Sequence, residues 1–440
     1  MSSSDAPSRS RRSQQLPVEV LARVLSLLRD AESFIRCMAV SREWHQAAKH
    51  VDCLFFDGYQ YRDRLSGQDA EAMITKTIMS TTRLRSLSVM HDDPDKWLSD
   101  STVIAWIIHT RATLRELLIS NSREGNNKIH RHHPTLFRAL YEQLRNSMVE
   151  KLGLDYVIIP PSIPPALLPN LHSLRLYDVR IASATLTAFI AGCSALELLR
   201  LIDLRDCESV DLHCPSLKEF VVEETAAVGS IRLDCPRLKR LLLRDVGGIA
   251  SLTVEDGSKL KKVEIFTEDC KPTIDIRHAA SIQHAHLLYK GDSWTHLAEF
   301  VGGMGCLREL GVCIQDDDNP PPVDLEDFAL LCPGLRTLGI GPELWERLAQ
   351  GDFRRGRSRW HDLSQLSIDT LRVDCVVSLL SAVLERCPSL ETLNLGPRAP
   401  EDSWEDAVSS FTTSLITIAQ KYPAVKVEVD FDHSYTIVPF

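Results

Sequence analysis

Hydrophobic and polar positions alternate along this chain in one recurring phrase, L-x-x-L-x-L. It begins at Leu84, Leu114, Leu171, Leu196, Leu217, Leu238, Leu260, Leu307, Leu335, Leu363 and Leu390, with a valine-led copy at Val149. From 307 to 335, 363 and 390 the steps are 28, 28 and 27 residues; from 196 to 217, 238 and 260 they are 21, 21 and 22. The last three residues of the phrase alternate inward and outward on a short strand, and the leading leucine packs the turn that enters it. One such unit cannot bury its own apolar side. About a dozen must stack, with parallel strands on the concave side and helices or irregular chain behind.

The long repeats carry helically spaced stretches before the strand: "WTHLAEFV" (294–301), "LEDFALL" (325–331) and "VVSLLSAVLER" (376–386). The 21-residue repeats instead place a second alternating run there, as in "SVDLHCPSLKEFVV", "SIRLDCPRLKRLLL" and "SLTVEDGSKLKKVEI". The pattern therefore predicts an irregular α/β solenoid over residues 70–432, helix-backed at both ends and β-rich between about 205 and 290. Its crossovers are expected to be right-handed. "AEAMITKTIM" feeds the first strand, and "AVKVEVDF", after the helical "SSFTTSLITIAQKY", supplies the last and caps the stack.

Cysteine precedes proline at Cys214, Cys235, Cys332 and Cys387, with a looser match at Cys193. Structural zinc sites pair ligands two to four residues apart. Here the closest cysteines, Cys207 with Cys214 and Cys306 with Cys313, have six residues between them. The thiol is read as a small buried filler, and the proline stops the preceding element and sets an extended entry to the strand.

Ahead of the repeats, residues 16–51 read as three short helices. Pro17 suits a first helical turn, and Val20 or Leu21, Val24 or Leu25, and Leu28 form a stripe at helical spacing. Asp30 or Ser33 is placed to cap a second helix running to Val40, and Ser41 a third that carries Trp44. Some 35 residues with apolar side chains on several faces cannot satisfy them internally, so they must pack on the repeats or on another chain.

This segment resembles the F-box motif: Leu16, Pro17 and Glu19 open it, Val20, Val24, Leu25 and Leu28 supply its paired aliphatics, and Val40, Ser41 and Trp44 close it as Val-Ser-x-x-Trp. Arg29 stands where many members have proline. With the repeats behind it, the chain resembles F-box leucine-rich-repeat proteins. The resemblance implies a non-catalytic substrate receptor of a Skp-cullin-F-box ubiquitin ligase, with the Skp adaptor, and through it a cullin, held by Leu16, Pro17, Val20, Val24, Leu25, Leu28, Val40 and Trp44. A substrate protein would be held by the repeats. A repeat-based scaffold outside any ligase is the alternative. The expected layout is a tail at 1–14, the F-box at 15–55, the solenoid at 70–432 and a second tail at 433–440.

Composition narrows the remaining classes. Of 440 residues, 44% are hydrophobic and 25% charged, and no apolar run approaches the roughly 18 residues that span a bilayer, so no membrane role is expected. The polar "MSSSDAPSRSRRSQQ" reads as a disordered tail rather than a secretory signal, which points to cytoplasm or nucleus and to reduced thiols. A formal charge of -10 argues against a dedicated nucleic-acid binder. No phosphate loop, metalloprotease motif or nucleophile elbow occurs, so no catalytic residue, metal or cofactor is expected. "HRHH" (130–133) and the acidic, proline-rich "QDDDNPPPVD" (315–324) read as solvated loops, and His278, His284 and His286 as parts of a repeat surface. The insert "FRRGRSRW" interrupts a repeat and gathers Arg354, Arg355, Arg357 and Arg359 beside Trp360, which makes it a candidate substrate contact for acidic or phosphorylated segments.

Overall fold

The computed structural model describes residues 16–28, 31–58, 67–91, 98–121, 134–145, 147–161, 168–267, 272–290, 294–315, 323, 325–350, 358–370, 376–397 and 404–429. They fall into two compact units, residues 1–177 and 178–440.

The first unit opens with three helices, α1 (Val18–Ser26), α2 (Ala31–Met38) and α3 (Arg42–Ala48). Pro17 sits at the cap of α1, one residue before the helical turn expected for it, and its carbonyl accepts the Val20 and Leu21 amides at 3.0 and 3.1 Å. The Ser41 hydroxyl accepts the Trp44 amide at 3.4 Å and donates to Glu43 at 2.6 Å, so one side chain starts α3 and fixes its first acidic residue. That hydrogen bond holds the Glu43 carboxyl below its ordinary range. Ser41→Ala is expected to cost about 1 kcal/mol, read as a lowered melting temperature of the first unit.

α1 turns Leu21, Ala22 and Leu25 inward against α3, whose Ala47 and Ala48 are fully buried; α2 adds Phe34 and touches the first strand. The hydroxyl of Ser26 accepts the Asp52 amide at 3.2 Å, and Arg23 pairs with Asp52 at 3.7 Å, which fastens α1 to the chain entering that strand.

The strands Cys53–Asp57, Ser86–His91, Glu116–Asn121, Lys151–Asp155 and Ser173–Tyr177 pair in parallel, each with the next. The ladder thus starts inside the segment read as F-box, ahead of residue 70. The cause is a copy of the repeated phrase led by valine and closed by phenylalanine, in which Val51, Leu54 and Phe56 are all buried. Inward rows run Leu54, Leu87, Leu117, Leu152, Leu174 and Phe56, Val89, Ile119, Leu154, Leu176. Helices Gly67–Met79, Asp100–Thr110 and Pro134–Leu144 connect the strands and bury Ile74, Trp106 and Leu140 among others.

In the second unit ten parallel strands follow in chain order: Leu198–Ile202, Glu219–Glu223, Arg240–Arg244, Lys262–Thr267, His284–Lys290, Glu309–Gln315, Thr337–Ile340, Gln365–Thr370, Thr392–Pro397 and Lys426–Val429. A second parallel ladder, Ser209–His213, Ser230–Asp234, Ser251–Val254 and Thr273–Ile276, backs the short repeats. This is the β-rich middle: a 21-residue step leaves no room for a helix, so the backing chain stays extended and buries Val210, Leu212, Ile231, Leu233, Leu252 and Val254. Where the step lengthens, helices return at Trp294–Gly302, Leu325–Leu331 and Val376–Leu384.

Cys193, Cys214, Cys235, Cys332 and Cys387 are buried free thiols at these entries. Burial pushes Cys193, Cys235, Cys332 and Cys387 up to about 12, which makes them inert packing groups. Among the described residues no group of three or more His, Cys, Asp or Glu is arranged to hold a metal.

One regular feature has no counterpart in the leucine pattern. Asp203, Glu224 and Asp245 follow successive front strands with φ of 47°, 53° and 52°, and donate their amides to the carbonyls of Glu223, Arg244 and Phe266 at 3.0, 2.9 and 2.9 Å. Left-handed backbone at each exit lets the chain turn off its own strand while keeping one bond to the next.

Candidate functional site

Two surfaces stand out, one on the helices of the first unit and one on the outward side of the second unit's front strands. On the helices, the residues left over from the core face solvent. Leu16, Val20, Val24, Leu27 and Val40 are 55%, 43%, 39%, 68% and 69% exposed. They make up five of the ten exposed large apolar residues identified among the described positions, all within 25 residues of chain. Beside Val40 the end of α2 and the start of α3 frame a cleft of about 570 Å³ lined by Met38, Ala39, Ser41, Arg42, His45 and Gln46.

The adaptor residues expected from the motif divide between the two faces of α1. Leu16, Pro17, Val20, Val24 and Val40 are exposed, and Leu28 and Trp44 are half-buried. Leu25 is 0% exposed and belongs to the α1–α3 core, so it is not a contact residue. The helical period puts Leu21 and Leu25 on one side and Val20, Val24 and Leu27 on the other. Leu27, outside the stripe expected from the sequence, is exposed on the same side as Val20 and Val24.

The arginine-rich insert is also divided. Arg354, Arg355 and Arg357 lie outside the described residues. Arg359 is exposed, whereas Trp360 is 0% exposed and donates its amide to the Arg386 carbonyl at 3.0 Å. Trp360 is therefore a core residue and not part of a substrate surface. Ser358 is tied down as well, its amide and hydroxyl both donating to Glu326, which also pairs with Arg386 at 3.2 Å. "HRHH" likewise falls outside the described residues.

On the second unit's front strands the outward positions carry paired charges. Arg240 meets Glu264 at 2.9 Å, Lys262 meets Glu264 at 3.2 Å and Arg244 meets Glu223 at 3.5 Å. Val221 and Leu242, outward in register but 2% and 3% exposed, are covered between these long side chains. Glu309 accepts from His284 Nδ1 at 2.7 Å and His286 Nε2 at 2.9 Å. Partial burial raises the Glu309 carboxyl, but the hydrogen bonds and charges of the two imidazoles outweigh it and hold the group below its usual range. His286 needs Gly311 beside it, since a Cβ there would stand 2.8 Å from its Nδ1.

The first unit holds one costly group on its own strands. Asp155 is 4% exposed, pairs with Arg175 at 3.5 Å, and has one oxygen, Oδ1, without a hydrogen-bond partner among the described residues. Burial pushes its carboxyl up to about 6 against the opposing pull of Arg175 and of a hydrogen bond from Ser120. A carboxyl whose folded pKa is raised contributes stability below its unfolded pKa, and that contribution disappears as pH rises through the folded value. The protein should lose roughly 3 kcal/mol between about pH 4 and 6 from this group. Asp155→Asn should flatten that part of the pH profile in chemical denaturation.

An F-box-like family model matches residues 13–57. The leucine-rich-repeat model described as "FBD-associated F-box protein At5g56370, LRR repeats" matches residues 105–281. The chain thus carries an F-box-like segment at its N-terminus, with leucine-rich repeats behind it. It is 26% identical to the "F-box/LRR-repeat protein At1g67190" of Arabidopsis thaliana over 438 residues, 95% of this chain and 99% of that protein. It is 23% identical to the "F-box protein At1g10780" of the same plant over 203 residues, covering 46% of this chain and 47% of that one.

Proposed function

We propose that this protein is the substrate-recognition subunit of a Skp-cullin-F-box ubiquitin ligase, with no chemistry of its own. The observation that carries this is the concentration of exposed aliphatic side chains on α1 and at the end of α2, on helices whose opposite faces are fully used in the core. A cluster of this kind marks a docking face, and an F-box-like segment is what docks a Skp-type adaptor. The repeats then hold a substrate protein, and the work done is positioning: a lysine of the bound substrate is kept at high effective concentration near a conjugating enzyme elsewhere in the assembly. The setting is the cytoplasm, the nucleus or both.

The test is assembly. Full-length protein mixed with a Skp-type adaptor and a cullin is expected to co-elute with both in size-exclusion chromatography. Retention of substrate partners by the repeats, with no association to adaptor or cullin, would leave the scaffold reading in its place.

A further inference from the structure

The residue that precedes each front strand of the second unit is exposed or half-exposed, and from the second strand to the seventh it follows a buried aliphatic residue, leucine in every case but Ile282. From the second strand to the seventh these residues are Lys218, Lys239, Lys261, Gln283, Arg308 and Arg336. A hydrogen-bond staircase fixes them in line. The carbonyl of each accepts the amides of the next such residue and of the one after it: Lys218 from Lys239 and Arg240 at 2.7 and 3.1 Å, Lys239 from Lys261 and Lys262 at 2.9 and 3.1 Å, Arg308 from Arg336 and Thr337 at 2.7 and 3.0 Å. With adjacent strands ~4.8 Å apart, the row is about 24 Å long.

Five of its six positions are cations, on a protein whose formal charge is -10. Lys218 is paired with Glu197 at 2.6 Å. Among the described residues Lys239, Lys261, Arg308 and Arg336 form no ion pair. The carboxylates nearest in register are already engaged, Glu219 and Glu264 by Arg240 and Glu309 by His284 and His286. Helix dipoles explain part of the row, because Arg308 and Arg336 follow the C-termini of helices Trp294–Gly302 and Leu325–Leu331. They do not explain Lys239 and Lys261, which are backed by strands Ser230–Asp234 and Ser251–Val254.

We infer that this edge is a binding strip for an acidic, extended polypeptide segment. A strip ~24 Å long matches about seven residues of extended chain at ~3.3 Å each. Its width of one residue suits a single chain rather than a duplex, which needs a broad basic face. The segments entering these strands, "PRLKR", "SKLKK", "CLRE" and "GLRT", contain no aromatic side chain on which bases would stack. Among the described residues between 198 and 315 no large apolar side chain is exposed to wedge into a lipid surface. The anionic groups are carboxylates or phosphates, since lysine and arginine engage both. This deepens the reading of the repeats as a substrate receptor, and rests on it only in calling the segment part of a substrate.

The experiment is fluorescence anisotropy on the full chain with three labelled ten-residue probes: oligoglutamate, a glutamine control, and a serine-rich peptide carrying three phosphoserines. Expected is saturable binding of the glutamate or phosphoserine probe, or both, that weakens with salt and drops at least tenfold in Lys239→Glu/Lys261→Glu. The more carboxylate-selective or phosphate-selective result identifies the anion. The milder Lys239→Gln/Lys261→Gln pair, at exposed positions outside the core, should weaken binding in the same direction with an unchanged melting curve. Equal affinity for the glutamine control, indifference to both double variants, or tighter binding to a single-stranded oligonucleotide or to anionic phosphatidylserine vesicles would overturn the inference. Adaptor capture, measured on the same preparations, is independent of these variants. Its failure would remove the ligase reading and leave the strip standing, and the reverse outcome would do the opposite.

Discussion

Leu27→Asp should abolish capture of a Skp-type adaptor while leaving the fold intact. Leu27 is 68% exposed and lies outside the α1–α3 core, so a charge there removes nothing from the interior. In the complex the same charge would be desolvated without a partner, and central apolar anchors of an interface typically cost 2 kcal/mol or more when lost, a loss of at least ~30-fold in affinity. Val24→Asp and Val40→Asp should act in the same direction. Leu25→Ala is the internal control: being 0% exposed, it should destabilise the domain by roughly 2–5 kcal/mol through a cavity against α3, and impair capture only as folding is lost. Thermal melts run beside the capture assay separate the two effects.

The second large effect concerns the insert. Trp360→Ala should destabilise the second unit by about 3–5 kcal/mol, because the ring is fully buried and the chain around it is held by the Trp360–Arg386 and Ser358–Glu326 bonds. Arg359→Ala, one residue away and exposed, should change stability by less than about 0.5 kcal/mol. In a stack where each repeat leans on its neighbours, the loss should appear in hydrogen exchange first at strands Thr337–Ile340 and Gln365–Thr370.

Most of the architecture was legible because the repeated phrase is set by burial. Leu217, Phe220 and Val222 are all 0% exposed, as are Leu238, Leu241 and Leu243, and a pattern so strictly enforced in space is visible in the letters. The second alternating run in each 21-residue repeat was enough to predict strand-backed repeats, since Ser209–His213 and its three neighbours carry that alternation on their faces. Less legible were features set by exposure. Val20 and Leu21 are interchangeable as aliphatics, and only the packing of α1 on α3 decides which of them meets solvent. Trp360 stands among arginines in the chain, which groups it with them, but its side chain is fully buried. The left-handed exits at Asp203, Glu224 and Asp245 escaped for another reason: acidic residues in the left-handed region leave no hydrophobic trace.

On the proposed function, the exposed aliphatic face of α1–α3 binds a Skp-type adaptor directly. It is tested most directly by titrating purified adaptor into the purified full chain in a calorimeter at several temperatures. A saturable one-to-one complex with a negative heat-capacity change is expected, as burial of apolar surface requires, with loss of that heat signal in Leu27→Asp. No binding under conditions where an F-box protein binds the same adaptor, or undiminished binding by Leu27→Asp, would overturn this.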